Sequence, residues 1–267
     1  PVYQLDNSNI YVKLEKYNLG GSVKDRAVLG MIQAAQAAGA VTPETIFVEP
    51  SSGNTGIAVA LLASVLGLKA VVIMPESFSV ERRQLIKAYG AQLVLTPKEG
   101  GMKAAIAKAE EIKSRYPNAI ILSQFDNPAN PAYHHQTTGK EILEQVPDLD
   151  IFVTGVVEYL NEHKPGVLAV ALEPEDSPVI SQGRAGAHKI QGIGTGFLPG
   201  NFKPELANQV LTISNDEAFA EAKDFIRTTG IGVGISSGAA LAGAKKLAAQ
   251  YPDKKIVTIL PDGVEKY

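Results

Sequence analysis

The chain contains no cysteine. Disulfides and thiolate metal sites are therefore excluded, and a reducing, cytoplasmic setting is expected. It has no basic block. Its 25 Lys and Arg and 28 Asp and Glu are interspersed and nearly cancel, which argues against nucleic acid as a partner. Long hydrophobic runs are also lacking. The longest, Ile57 to Leu66, is about half a membrane span, so no membrane segment is expected. Pro1-Val2-Tyr3-Gln4 has neither the basic start nor the apolar core of a signal peptide. There is no internal repeat and no low-complexity tract. Histidines are few: His134 and His135 are adjacent on an expected helix and point about 100° apart, while His163 and His188 stand alone. None of them has metal-ligand spacing, and no metal is expected.

What the chain does have is alternation. An apolar fraction of 45% over 267 residues is ample for a core. Strands are predicted at Ile10–Glu15, Thr45–Glu49, Lys69–Met74, Ala91–Thr96 and Ala119–Ser123. Helices are predicted between them at Val23–Ala38, Asn54–Leu66, Val80–Tyr89 and Met102–Arg115. The second of these is apolar nearly all round, as a helix buried between layers must be. After a pause at Asn127–Pro131 the pattern resumes with helix Tyr133–Gln145, strand Asp150–Thr154, helix Val156–His163 and strand Val167–Glu173. A long loop, Pro174–Lys203, leads to strand Gln209–Ile213, helices Asp216–Thr228 and Ser237–Gln250, and strand Lys255–Leu260.

Strands alternating with helices at this spacing predict α/β architecture, with mostly parallel twisted sheets covered by helices on both faces. Two such domains are expected. Residues 1–128 form the first, with its opening strand able to cross to the other domain and 28–128 as a mobile part. Residues 129–267 form the second. Sites in such sheets lie beyond the carboxyl ends of the strands.

Two stretches carry the chemistry. The first is Asn18-Leu19-Gly20-Gly21-Ser22-Val23-Lys24-Asp25-Arg26, which puts a lysine in the first turn of a helix. The positive end of a helix disfavours an ammonium there. A neutral lysine amine is nucleophilic and can form a Schiff base with an aldehyde cofactor. The plainer alternative is a solvated surface lysine. The second stretch is Glu49-Pro50-Ser51-Ser52-Gly53-Asn54-Thr55-Gly56, joining a strand end to a helix start. Unpaired N–H groups at that start, together with two serines and a threonine, suit a bound carboxylate. Ordinary helix capping is the alternative.

With these stretches in order the chain resembles the cysteine synthase (O-acetylserine sulfhydrylase) family, pyridoxal-phosphate enzymes of fold type II. Further marks are Met74-Pro75-Glu76, Glu81-Arg82-Arg83, Gln124-Phe125, Asn127 through Pro131, Thr137-Thr138-Gly139, His188 through Gly194, Gly234-Ile235-Ser236-Ser237-Gly238 and Leu260-Pro261-Asp262-Gly263. The resemblance spans essentially the whole chain. It implies a pyridoxal 5'-phosphate cofactor held by Lys24 and hydrogen-bonded by Asn54. Ser51, Ser52, Gly53, Thr55 and Gln124 would take the substrate carboxylate, and Gly192 would border the acceptor pocket. Ser236 would face the pyridine nitrogen. A hydroxyl there does not hold that nitrogen protonated, which favours β-elimination over transamination. Ser237 is expected to cap the helix that ends near Gln250.

The implied reaction is a ping-pong β-replacement. O-acetyl-L-serine loses acetate to give an aminoacrylate, and sulfide then adds to yield L-cysteine, with Lys24 moving the α-proton. A homodimer, and the C-terminal tail of serine acetyltransferase as a partner, are implied too. A cystathionine β-synthase type reaction with homocysteine is a second possibility. A cofactor-free binding protein is a third. The chain departs from the family after Phe152-Val153-Thr154-Gly155. There the glycine- and threonine-rich turn that cradles the cofactor phosphate is shortened, and Gly155 is the single phosphate-binding candidate left. A similar shortfall separates Gly186 from Ala187. Arg82 and Arg83 are expected on a solvated helix face.

Overall fold

The computed structural model describes residues 1–51, 53–153 and 157–267. By its internal contacts the chain divides into two compact units: residues 1–17 with 131–265, and residues 18–130 with 266–267.

The smaller unit is built on four parallel strands in the order β5-β4-β3-β6. These are β3 (Ile46–Pro50), β4 (Lys69–Pro75), β5 (Gln92–Thr96) and β6 (Ala119–Ile121). The two-residue period of a strand sends alternate side chains to opposite faces. Phe47, Val72 and Met74 accordingly join one core with α1 (Lys24–Ala37), α2 (Asn54–Val65) and α3 (Val80–Ala88). Val48 and Ile73 join a second core with Ala105 and Ala109 of α4 (Gly101–Arg115). Helices thus cover both faces. α2 packs against α1, α3, β3 and β4, which accounts for its lack of a polar side.

The larger unit carries six strands in the order β1-β2-β10-β7-β8-β9. They are β1 (Val2–Gln4), β2 (Ile10–Leu14), β7 (Ile151–Val153), β8 (Leu168–Pro174), β9 (Gln209–Ile213) and β10 (Ile256–Leu260). Only the β1–β2 pair is antiparallel. One face packs on α9 (Asn215–Thr229) and α10 (Ile235–Gln250) through Val12, Val153, Val170, Phe225 and Leu241. The other packs on α6 (Lys140–Gln145) and α7 (Val157–His163) through Ile142, Phe152, Leu160 and Val257. α9 and α10 approach closely at Gly238, where any Cβ would collide with the Ala218 carbonyl oxygen. Glycine is what lets the two backbones meet there.

The expected α/β architecture is present, and most predicted elements agree to within a residue or two. Four details differ. The helix predicted over 133–145 is α5 (Ala129–His134), a π-helical turn at His135–Gly139, and α6. The long loop 174–203 contains a single turn of helix, α8 (Val179–Gln182). The first hairpin strand, β1, is too short to give a periodic signal. Ser237 is not the cap of α10: that position belongs to Gly234, and the Ser237 hydroxyl donates to Asp262 O at 3.4 Å. Among the described residues no helix is long and apolar enough to cross a membrane.

Candidate active site

In the smaller unit the expected residues gather at the carboxyl ends of β3 and β6. These strands are neighbours and run parallel, so their ends share one edge of the sheet. β3 runs into Ser51, Gly53, Asn54 and Thr55, and β6 into Gln124. The Thr55 hydroxyl donates to Gln124 Oε1 at 2.7 Å. That bond fixes the amide orientation and turns Gln124 Nε2 toward Glu49 Oε1, 3.5 Å away. Gln124 itself is braced from behind, because Asn130 Nδ2 donates to its carbonyl at 2.9 Å and Asn127 Nδ2 holds Leu122 O at 2.9 Å. The turn bends through Ser123 at φ 55.

Ser51 is buried and ties the start of α2. Its Oγ accepts from Gly53 N at 3.2 Å and from Gly56 N at 2.9 Å, which closes the start of α2. Because the oxygen is the acceptor in both bonds, its own proton remains available to a ligand. Asn54 is the first residue of α2. Ser52 lies outside the described residues.

Lys24 opens α1, behind a tightly tied loop. Ser22 Oγ accepts from Lys24 N at 3.2 Å, and Asn18 Nδ2 donates to Ser22 O at 3.0 Å. Asp25 folds back so that its carboxylate accepts from Gly20 N at 2.6 Å. The buried Lys266 donates from Nζ to Gly20 O at 2.6 Å. The loop in front of Lys24 is thus held at both its N–H and its C=O.

Two features of this unit escaped the sequence reading. Arg82 is not on a solvated face: it is 3% exposed. It shares the buried side of α3 with Ile86, four residues on. Its guanidinium packs on the loop backbone, so that a Cβ at Gly53 would stand 3.3 Å from Nη1. The Tyr267 ring lies 4.9 Å from its Cζ. Arg83 donates to Phe78 O at 2.9 Å and also to Glu76 O. The second feature is Glu49, 2% exposed, whose carboxyl is pushed by burial from an ordinary 4.5 up to about 8. A glutamate among the apolar residues of a buried strand was the signal available for it.

In the larger unit Ser236 lies in the first turn of α10, 4% exposed, and its hydroxyl makes no hydrogen bond to any described residue. Gly192 faces it. A Cβ there would stand 3.3 Å from Ser236 Oγ, and the residue holds φ 104, a conformation that side chains rarely adopt. A hydroxyl on a buried serine, with an unused bond and a glycine facing it, fits the ring nitrogen of a bound cofactor. Gly155 lies outside the described residues. The histidines are engaged locally: His134 with Thr138, His135 with Glu162, His163 stacked on Tyr159 and His188 with Gly194 O. A pocket of about 100 Å³ in this unit is lined by His134, His135, Tyr159, Phe202 and Lys203, and none of the expected site residues lines it.

Comparison with known proteins follows the same lines. Residues 1–262 match the family model described as "Pyridoxal-phosphate dependent enzyme". A cysteine synthase of Staphylococcus aureus is 44% identical over 285 aligned positions, covering 100% of this chain and 92% of that protein. The alignment is longer than the 267 residues of the chain, so the relative carries residues that this chain lacks. Among solved structures, an O-ureido-L-serine synthase superposes with TM-score 0.96 at 37% identity, covering 100% of this chain and 90% of its own. A cysteine synthase from Entamoeba histolytica superposes with TM-score 0.94 at 35% identity, covering 100% and 86%.

Proposed function

The chain belongs to the pyridoxal-phosphate-dependent enzymes, and on that premise we propose that it is a cysteine synthase, converting O-acetyl-L-serine and sulfide to L-cysteine and acetate. The observation that carries the proposal is the Thr55–Gln124 pair beside a serine-rich loop at the start of α2. That arrangement suits an α-carboxylate, the group shared by substrate and product.

The substrate carboxylate would take its hydrogen bonds from the Ser51 hydroxyl, the backbone at the start of α2 and the Gln124 amide. Ser52 belongs to the same loop by sequence. Lys24 would hold the cofactor, with Asn54 and Ser236 completing its polar contacts and Gly155 toward its phosphate. Bound pyridoxal phosphate supplies an aldehyde for amines and an electron-withdrawing ring that acidifies the α-proton. The Lys24 amine removes that proton from the substrate's Cα and returns it after sulfide has added at Cβ. Ser236 donates or accepts one hydrogen bond without fixing a charge, so it moderates the ring's pull on electrons. Gly192 leaves the space in front of Ser236 open, where a larger residue would narrow the acceptor pocket.

The resemblance also supports a homodimer in the cytoplasm and the C-terminal tail of serine acetyltransferase as a partner. The deciding experiment is a visible spectrum of the purified protein, before and after O-acetyl-L-serine, followed by a cysteine assay with sulfide. A cofactor band that changes with the substrate and recovers with sulfide, with cysteine formed, is expected. A protein that shows no band and gains none on incubation with pyridoxal phosphate sinks the proposal.

A further inference from the structure

Glu49 has no part in the chemistry above, yet it lies directly beneath it. It is the fourth residue of β3. Ile46 and Val48 face α4, whereas Phe47 faces α1 and α2. Alternation therefore turns Glu49 to the α1 and α2 side. No counter-ion answers it there. α2 and β6 carry no charged residue, and Lys69 of β4 pairs with Ile46 at the far end of the strand. Lys103, Lys108, Glu110, Glu111, Lys113 and Arg115 belong to α4, on the other face of the sheet. The charged groups on the elements of its own side are Lys24, Asp25 and Arg26 at the start of α1 and Glu81, Arg82, Arg83 and Lys87 on α3, with Asp126 in the turn after β6. Burial is the cause of its raised pKa, and no charged partner contributes. Oε1 faces the Gln124 amide, and Oε2 has no hydrogen-bond partner among the described residues. A buried carboxylate oxygen left in that state is costly, whereas the protonated acid is tolerated.

We propose that Glu49 is a positioning residue for the substrate carboxylate: as an uncharged acid it keeps the Gln124 amide turned against Thr55, and the loop accepts an amino-acid carboxylate only while Glu49 holds its proton. This rests on the cysteine synthase reading of the loop. It goes beyond that reading in assigning the alkaline limit of substrate binding to a residue that never touches substrate. Ionised, Glu49 would place a like charge one residue behind the bound carboxylate, which by ordinary like-charge effects lowers affinity about tenfold or more. It would also pull harder on Gln124 Nε2 and draw it from the ligand.

The test compares wild type with Glu49→Gln, a neutral side chain of the same shape, as holoenzymes from pH 6 to 9.5. Affinity for L-alanine, an amino acid with no leaving group, is read from the cofactor spectrum, with kcat and KM for O-acetyl-L-serine alongside. The ligand's own amine titrates equally in both proteins and cancels in their ratio. Wild-type affinity is expected to fall about tenfold relative to the variant between pH 7 and 9, with the effect in KM and kcat in constant ratio. Infrared difference spectra give a second readout: a protonated-carboxyl band present at pH 6.5, absent at pH 9.5 and absent in the variant. Parallel pH profiles in the two proteins overturn the inference and leave the function intact. A folded variant that binds nothing at any pH overturns the charge argument as well. Failure of wild type to bind L-alanine at pH 6.5, where Glu49 is neutral, overturns the functional reading and this inference with it.

Discussion

The same glutamate makes a prediction about stability that involves no ligand. In the unfolded chain its carboxyl has an ordinary pKa of 4.5, and in the fold about 8. At about 1.36 kcal/mol per pKa unit, the full difference is about 5 kcal/mol. The sign follows from proton counting. Between the two values the native state holds a proton that the unfolded state has released, so stability falls as pH rises. Below 4.5 there is no cost. At pH 7 the cost is about 3 kcal/mol, and above 8 it levels off near its full value. A typical domain is stable by only about 5–15 kcal/mol, so the effect is large. Glu49→Gln cannot titrate, so its stability relative to wild type should rise by about 1.4 kcal/mol for each pH unit between 5 and 8. The assay is urea unfolding of both proteins at pH 5, 6, 7, 8 and 9. Any fixed cost of the substitution shifts one curve bodily and leaves the slope difference untouched. Curves that stay parallel would refute the reasoning, since Glu49 would then be ionised in both states or solvated in the fold.

Other expectations follow from the same geometry. Lys24→Ala should abolish cysteine formation, by at least about a thousandfold, while circular dichroism stays unchanged. Lys13 is fully buried, 2.7 Å from Glu141 and 3.8 Å from Glu15. Lys13→Met should therefore destabilise by about 3–5 kcal/mol in urea, because it removes the fully buried cation from its ion pair with Glu141. Gly238→Ala should cost about 3 kcal/mol or more, read as a lowered Tm, since the α9–α10 contact has no room for a methyl group.

The sequence exposed the parts of this molecule that rest on local pattern. Strand alternation and helix starts gave both sheets, and the ordered motifs led to Lys24, Ser51, Asn54, Thr55, Gln124 and Ser236. It could not expose what depends on neighbours distant in the chain. Arg82 sits in a charged helix with only a few apolar residues, and its burial is set by packing against Gly53 and Tyr267. Ser237 has the chemistry of a cap, but the backbone bond from Gly234 to Asp262 O moves the helix start upstream. Glu49 reads as the polar end of a strand, and only the sheet register shows it to be enclosed. The π-helical turn at His135–Gly139 has no periodic signature at all.

The order of strands in the smaller sheet has a consequence for how the protein is made. β6 is the last of its four strands to leave the ribosome, yet its partner is β3, the first. Thr55 and Gln124 are 69 residues apart in the chain and adjacent in space. A nascent chain that ends before β6 can build the serine loop and its helix but lacks the Gln124 amide that, under the proposed function, completes the carboxylate site. Ligand recognition is therefore acquired late in synthesis, after a long loop has been closed at entropic cost, so substrate cannot assist the earliest folding of the unit that binds it.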